Sequence, residues 1–564
     1  MSPTLKTRLE NRTFFILIPL YSVATLLFWR TILSCMRILF KVIILIGLLS
    51  ACAVPTASPT PLPIVTPTEL PLLSPFASQD TLTGMWLGGF SKPDGAMVSL
   101  SLNFEGSTGN LTIEPKVKIW PTTSLTQEGD RVHFVVTGKA GEDFEQIEFT
   151  GKLSDGTLQG DLNLDGQISP TTFTPISAVE TSVLEKYVGV YRFESGRVLS
   201  ILNSPKYDLK GLHFFHNGLA MTDFKNGSMR GLYSLEDFTF AVGALRVVGA
   251  PLQSRIQFIT DEQGNATGLI WWDELDGVKP SAESGQYAPR LLFHSEDITF
   301  TSAAGTTLAG RISLPESNSP LPAFMMLHGS EQGTRDNFGN QVMAHYMLSR
   351  GFAILNYDKR GVGESGGTYQ EAASASNLQK LAEDAVAGVE YLASRPDIDA
   401  ERIGLIGGSQ AGWIIPISAS ESDRIAFFVI LSGPVVSVSH EDLYSSYTND
   451  GDSLVTYDAE KLNQTLREKA PSGFDPLPVI TELSQPGLWL WGSVDKSVPV
   501  TVSAENLQAL IDSGKSNFSY TIFPGGDHNL NISTNGLFAE IPYSPGLLFY
   551  STLTEWLEKT VQKE

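Results

Sequence analysis

From about residue 297 onward, short apolar runs alternate with longer stretches of helical periodicity. That alternation limits the possible folds more than any other feature of the chain. The runs are Ala323–Leu327, Phe352–Tyr357, Ile403–Gly407, Phe427–Leu431, Leu488–Trp491 and Tyr520–Phe523. Continuous apolar runs suit strands buried on both faces of a parallel sheet. Two strand-like stretches, Asp297–Thr301 and Thr307–Leu314, come first, so eight strands are expected. Between them, segments such as Leu378–Ser394 carry apolar residues at helical spacing. Residues 288–564 therefore read as an α/β domain, with a polar, loosely helical insertion over about 434–485. In such sheets, chemistry sits at the carboxyl ends of the strands.

The residues before this domain follow a different period. Met97–Leu102, Val132–Val136 and Thr157–Leu162 alternate apolar and polar, with turn residues between them. That is the pattern of half-buried antiparallel strands. Two β-rich modules are expected, 79–180 and 181–287. Gly84-Met85-Trp86-Leu87-Gly88 opens the first, and Tyr187-Val188-Gly189-Val190-Tyr191 opens the second. Gly156-x-x-x-Gly160 is echoed by Gly264-x-x-x-Gly268, which hints at duplicated small barrels or sandwiches. One larger barrel spanning both stretches fits the same pattern. Trp271-Trp272 cannot form a shared platform, because adjacent strand residues face opposite sides.

Residues 1–52 read as an address. Lys6, Arg8, Arg12, Arg30, Arg37 and Lys41 stand against the single acid Glu10, around the apolar runs Phe14–Trp29 and Val42–Leu49. The second run is too short to span a bilayer comfortably and ends in Leu49-Ser50-Ala51-Cys52. This resembles a bacterial lipoprotein signal with its lipobox. The resemblance implies cleavage before Cys52, lipid on its sulfur and an extracytoplasmic, membrane-anchored protein. A transmembrane anchor built from one or both runs is the alternative. Met36 would give a leader of ordinary length, so translation from Met36 instead of Met1 is a second expectation. Residues 53–78 are rich in Pro, Thr and Ser and read as a semi-rigid tether.

Composition removes some classes of function. The formal charge is −22, which leaves no basic surface to replace counterions on nucleic-acid phosphates. The only two cysteines, Cys35 and Cys52, lie in the leader, and the eight histidines lack metal-ligand spacing. Neither a metal nor a cofactor is expected.

The chemistry is concentrated in three places. Ile403-Gly404-Leu405-Ile406-Gly407-Gly408-Ser409-Gln410-Ala411-Gly412 reads as strand, sharp turn and helix start. A serine on such a turn has its hydroxyl pushed off the end of the sheet. Leu488–Trp491 is followed by Gly492-Ser493-Val494-Asp495, and the last strand by Pro524-Gly525-Gly526-Asp527-His528. The first segment resembles the nucleophile elbow Gly-x-Ser-x-Gly of the α/β-hydrolases, with Ala411 in place of the second glycine and Gly412 one position later. Gly492–Pro499 resembles that family's Gly-x-x-Asp-x-x-Val-Pro loop. His328-Gly329 resembles its oxyanion His-Gly, and Tyr357-Asp358-Lys359-Arg360-Gly361 resembles its Tyr-Asp-x-Arg-Gly segment.

The resemblance covers roughly 290–560 and points to small bacterial carboxylesterases. It implies an α/β-hydrolase fold: an eight-stranded, mostly parallel sheet with flanking helices and a short lid. It also implies a triad of Ser409 as nucleophile, His528 as base and Asp495 as the group orienting the histidine. The oxyanion donors would be the N–H of Gln410 and, by position, that of Ser330, with a shift of one residue open. Asp527 reads as a loop carboxylate, His328 as packing under the loop, and the Tyr-Asp-Lys-Arg-Gly segment as scaffold. His440 and His345 fit the role of base less well. The activity implied is hydrolysis of a small-molecule acyl ester. The alternatives are a serine peptidase or acyltransferase of the same fold, and a non-catalytic surface binding lipoprotein.

Overall fold

The computed structural model describes residues 82–561, apart from 92–96, 114–118, 140–143, 155, 178, 204–217, 237, 244–253, 274–280, 534 and 538–548. The leader, Cys52 and the Pro/Thr/Ser-rich tether lie outside the described residues. No helix among the described residues is long and apolar enough to cross a membrane.

Eight antiparallel strands, from Gly84–Ser91 to Gln167–Ile176, close into a barrel in simple up-and-down order. Met85, Trp86 and Leu87 pair with Ile176, Pro175 and Thr174 to complete it. The strand Arg131–Thr137 shows the expected alternation: Val132, Phe134 and Val136 point in, with His133 and Val135 between them. The interior is filled by Trp86, Phe104, Phe134, Phe149 and Phe173. Phe134 and Phe149 stack with centroids 5.1 Å apart.

A second meander of eight antiparallel strands runs from Gly189–Arg192 to Tyr287–Pro289. Its two ends meet, since Tyr191 pairs with Arg290 and Leu291 N–H donates to Val190 O at 2.7 Å. Both faces of its middle strands are buried, for a reason visible in the strand Val198–Asn203. Leu199 and Ile201 enter the module's own core, while Val198 and Leu202 join the core of the C-terminal domain. Between them, Ser200 Oγ lies 2.7 Å from His345 Nδ1. His345 is wholly enclosed. Burial, helped by the charge of Arg290, holds it down to about 3, so its ring stays neutral.

The C-terminal sheet has eight strands: β1 Phe293–Thr301, β2 Thr307–Pro315, β3 Leu321–Leu327, β4 Ala353–Tyr357, β5 Ile398–Gly408, β6 Ile425–Leu431, β7 Gly487–Gly492 and β8 Phe518–Phe523. They lie in the order β1-β2-β4-β3-β5-β6-β7-β8. β2 is antiparallel to both neighbours, and every other pair is parallel. The inner strands are buried throughout, as their largely apolar sequence requires. This is the α/β-hydrolase fold, preceded by antiparallel β-rich units.

Helices α1 (Phe338–Ser349), α2 (Ala375–Ala393) and α3 (Ala411–Glu421) connect strands of the sheet. α4 (Val438–Thr448), α5 (Ala459–Glu468) and α6 (Leu477–Glu482) form the insertion between β6 and β7. α7 (Val500–Asp512) and α8 (Phe549–Thr560) complete the chain. The middle module rests on α1 and α8, where Phe224 packs on Tyr346 and Tyr550 with centroids 5.2 and 5.0 Å away.

Candidate active site

Parallel strands place all their carboxyl ends on one edge, and Ser409, Asp495 and His528 follow β5, β7 and β8 on that edge. Ser409 adopts a left-handed backbone, φ +54°. That conformation costs a non-glycine residue about 1 kcal/mol or more. The turn is held on both sides: Ser409 N–H donates to Leu431 O at 3.0 Å, and Ser409 O accepts from Gly412 N–H at 2.8 Å. The room the turn needs is supplied by Gly412, where a Cβ would lie 2.7 Å from the Cα of Gly433. The departure from Gly-x-Ser-x-Gly thus has a structural basis. Alanine fits at 411, and the close backbone crossing falls one residue later.

The loops after β7 and β8 are joined by Ser493 N–H to Phe523 O at 3.0 Å and Val494 N–H to Gly526 O at 2.9 Å. Asp495 is buried, and its Oδ1 accepts from the N–H groups of Ser497 and Val498 at 2.8 and 2.9 Å. Its other oxygen, Oδ2, lies 2.9 Å from His528 Nδ1. Burial alone would lower the affinity of His528 for a proton. The charge and hydrogen bond of Asp495, with Asp450 and Asp527 adding to them, outweigh burial and raise its pKa above the ordinary histidine value. Asp527 points elsewhere: its Oδ1 accepts from Asn529 N–H and Asn531 N–H, each at 2.9 Å. His345 and His440 are engaged away from this pair. His440 Nδ1 lies 2.5 Å from Ser437 Oγ, and its Nε2 lies 3.1 Å from Lys469 O.

The loop after β3 closes the other side. A Cβ on Gly329 would lie 3.3 Å from Ser409 Cβ, so this loop runs against the serine turn. His328 lies beneath the loop with Nε2 2.6 Å from Tyr357 O. A carbonyl only accepts, so Nε2 carries a proton. Among the described residues, no protein group accepts from the N–H of Ser330 or of Gln410.

Three features escaped the sequence. In the Tyr-Asp-Lys-Arg-Gly loop, Asp358 and Arg360 are scaffold. Asp358 accepts from Arg335 N–H and Glu364 N–H at 2.8 and 2.9 Å, and Arg360 grips Asp384 at 2.6 and 2.8 Å. Lys359 turns the other way. Its ammonium is buried and donates to Gly329 O at 2.6 Å and Gln410 Oε1 at 3.2 Å. Beside it, burial works against the Glu331 carboxylate. The hydrogen bond and charge of His328, and then the charge of Lys359, prevail and hold Glu331 down to about 2. The third feature is on the insertion between β6 and β7. Tyr444 of α4 donates to Asp495 O at 2.8 Å, while Glu441 is pushed up to about 8 by burial first, then by Asp442 and Asp450. Neither residue stands in a motif. The helical spacing of 438–448 gave no sign of which face meets the site.

The C-terminal half of the chain is similar to known proteins. The prolyl oligopeptidase family matches residues 339–557. Esterase EstD of Thermotoga maritima is 25% identical over 309 residues, which span 50% of this chain and 70% of the esterase. Dipeptidyl peptidase 8 of Homo sapiens is 24% identical over 294 residues, 50% of this chain but 30% of the peptidase. The chain therefore spans under a third of that peptidase's length. The solved esterase Pf2001 of Pyrococcus furiosus superposes with a TM-score of 0.35 at 21% identity, covering 48% of this chain and 91% of the esterase. The strand order and the serine turn give the C-terminal half of the chain the α/β-hydrolase fold, and its similarity to the prolyl oligopeptidase family and to an esterase is that of a serine hydrolase.

Proposed function

We propose that the protein hydrolyses carboxylic esters through an acyl-serine intermediate, with Ser409 as nucleophile, His528 as general base and acid, and Asp495 holding the imidazole. The observation that carries this reading is the Asp495–His528 contact of 2.9 Å on the edge where Ser409 stands. A serine hydroxyl attacks a carbonyl only when a base takes its proton. Asp495 on Nδ1 fixes the tautomer whose Nε2 carries the lone pair that takes it. Ser409 Oγ bonds to the acyl carbon while His528 takes the proton. The carbonyl oxygen becomes an oxyanion, for which the N–H groups of Ser330 and Gln410 are the donors. Collapse breaks the ester C–O bond, and His528 returns its proton to the leaving alcohol. Water then repeats the sequence, releasing the acid and restoring Ser409. The lid over 434–485 sets the acyl-group preference.

A peptidase activity is the second reading, favoured by the prolyl oligopeptidase match. Peptidases of that kind carry a propeller of about seven blades, whereas this chain has an eight-stranded barrel and an eight-stranded meander before the hydrolase. A panel of p-nitrophenyl esters against aminoacyl- and dipeptidyl-anilides separates the two. Turnover of esters is the expected result, and turnover of anilides alone would overturn the ester reading. We also place the enzyme on the outer side of a bacterial membrane, held by lipid on Cys52 after the lipobox Leu49-Ser50-Ala51-Cys52. Globomycin should then cause the precursor to accumulate. A precursor of unchanged size and amount would remove the anchor.

A further inference from the structure

We propose that Lys359 is a positioning residue for the oxyanion hole, its ammonium tying the peptide that carries the Ser330 N–H to the residue that carries the Gln410 N–H. This rests on the ester-hydrolase reading and assigns its second site element to a side chain outside the triad. The three protons of the ammonium have three acceptors. Gly329 O lies at 2.6 Å, Gln410 Oε1 at 3.2 Å and Glu331 O at 3.4 Å. The first of these matters most. In a trans peptide the carbonyl and the next N–H point to opposite sides. Pulling Gly329 O toward Lys359 therefore turns the Ser330 N–H away from it.

The neighbouring carbonyl is held as well, because Tyr369 OH donates to Ser330 O at 2.6 Å. The main-chain N–H of Lys359 adds a bond to Gly333 O at 3.0 Å, closing the loop from its far end. Gln410 immediately follows Ser409, so its side chain gives Lys359 a hold on the serine turn itself. One buried cation therefore connects β3, β4 and β5 behind the point where negative charge develops.

A neutral donor would satisfy the same carbonyls with less desolvation. The charge is retained because the Glu331 carboxylate lies beside it, and because a cation behind the loop favours the oxyanion over the neutral carbonyl. Burial holds Lys359 down to about 8, with Glu331 pulling it back up. Glu331 is the charged group that faces the ammonium, and the Tyr369 ring lies 5.5 Å from it.

The test compares wild type with Lys359→Met on a p-nitrophenyl ester, with two inhibitors. A trifluoromethyl hexyl ketone adds the serine and forms an oxyanion, whereas methyl hexyl ketone binds without reacting. The inference expects kcat to fall about 10- to 100-fold with KM within about twofold. Affinity for the trifluoromethyl ketone should fall by a similar factor, and affinity for the methyl ketone should hold. An unchanged kcat, or equal losses for both ketones, would overturn it.

If Lys359→Met does not fold, the pH profile of kcat decides. Wild type should lose activity on the alkaline side as Lys359 gives up its proton, and Glu331→Gln should move that limb to lower pH. A limb absent in wild type, or unmoved by Glu331→Gln, would overturn the assignment. Wild-type protein that neither turns over esters nor reacts with a fluorophosphonate sinks the hydrolase reading itself. Active, reactive protein indifferent to Lys359 sinks only this inference.

Discussion

Two charge pairs, Asp495–His528 and Lys359–Glu331, flank Ser409, and they are built in opposite ways. On one side the carboxylate is the fixed partner: Asp495 is locked by two backbone N–H groups and raises the proton affinity of His528. On the other side the cation is the reaching partner. Lys359 spans from β4 to Gly329 and Gln410, and burial lowers its proton affinity. The first pair must move a proton, and the raised proton affinity of its base serves that transfer. The second must keep its proton, and burial narrows the range over which it can. The contrast predicts a bell-shaped profile of ester hydrolysis, with one limb from each side of the serine.

The sharpest way to break that contrast is Asp495→Asn. It leaves the shape of the site but turns the histidine to the wrong tautomer, and kcat should fall about 10⁴-fold. A loss of tenfold or less, measured on a p-nitrophenyl ester, would mean that Asp495 does not orient the base. Next comes the wild-type acid limb. His528 is active when neutral, and its pKa is raised, so activity should decline as pH drops through a value above the ordinary 6.5. The charges that act on His528 are those of Asp495, Asp450, Asp527 and Glu441. Removing one distant carboxylate with Asp450→Asn should move this limb to lower pH and leave the alkaline limb in place. A shift of both limbs would show that the two sides are not independent.

The smallest effect on chemistry is expected from Phe224→Ala, at the seat of the middle module on α1 and α8. Emptying that contact should cost about 3–5 kcal/mol of stability in denaturant unfolding. Neither limb should move. A changed pH profile would give the β module a part in the site.

The strands were legible because their runs are largely apolar, and chain order alone sets the three proposed triad residues after strands that end on one edge. The second glycine of the elbow was displaced in sequence, but Gly412 still met the steric need. Lys359 was not legible. It stands between Asp358 and Arg360, both scaffold, and only the tertiary turn decides which of the three points toward Gly329. The β modules were legible as alternation and not as closure. Whether Met85–Leu87 meets Thr174–Ile176 depends on accumulated twist, which no local pattern records. The double-sided burial of Val198–Leu202 depends on the presence of α1 and α8, far along the chain.

Incubating wild type and Ser409→Ala with a fluorophosphonate, then mapping the adduct by peptide mass, measures the central step itself. The account predicts one covalent adduct on the Ser409 peptide of wild type and none on the variant. An unreactive wild type, or an adduct that persists at another residue when Ser409 is alanine, would contradict it.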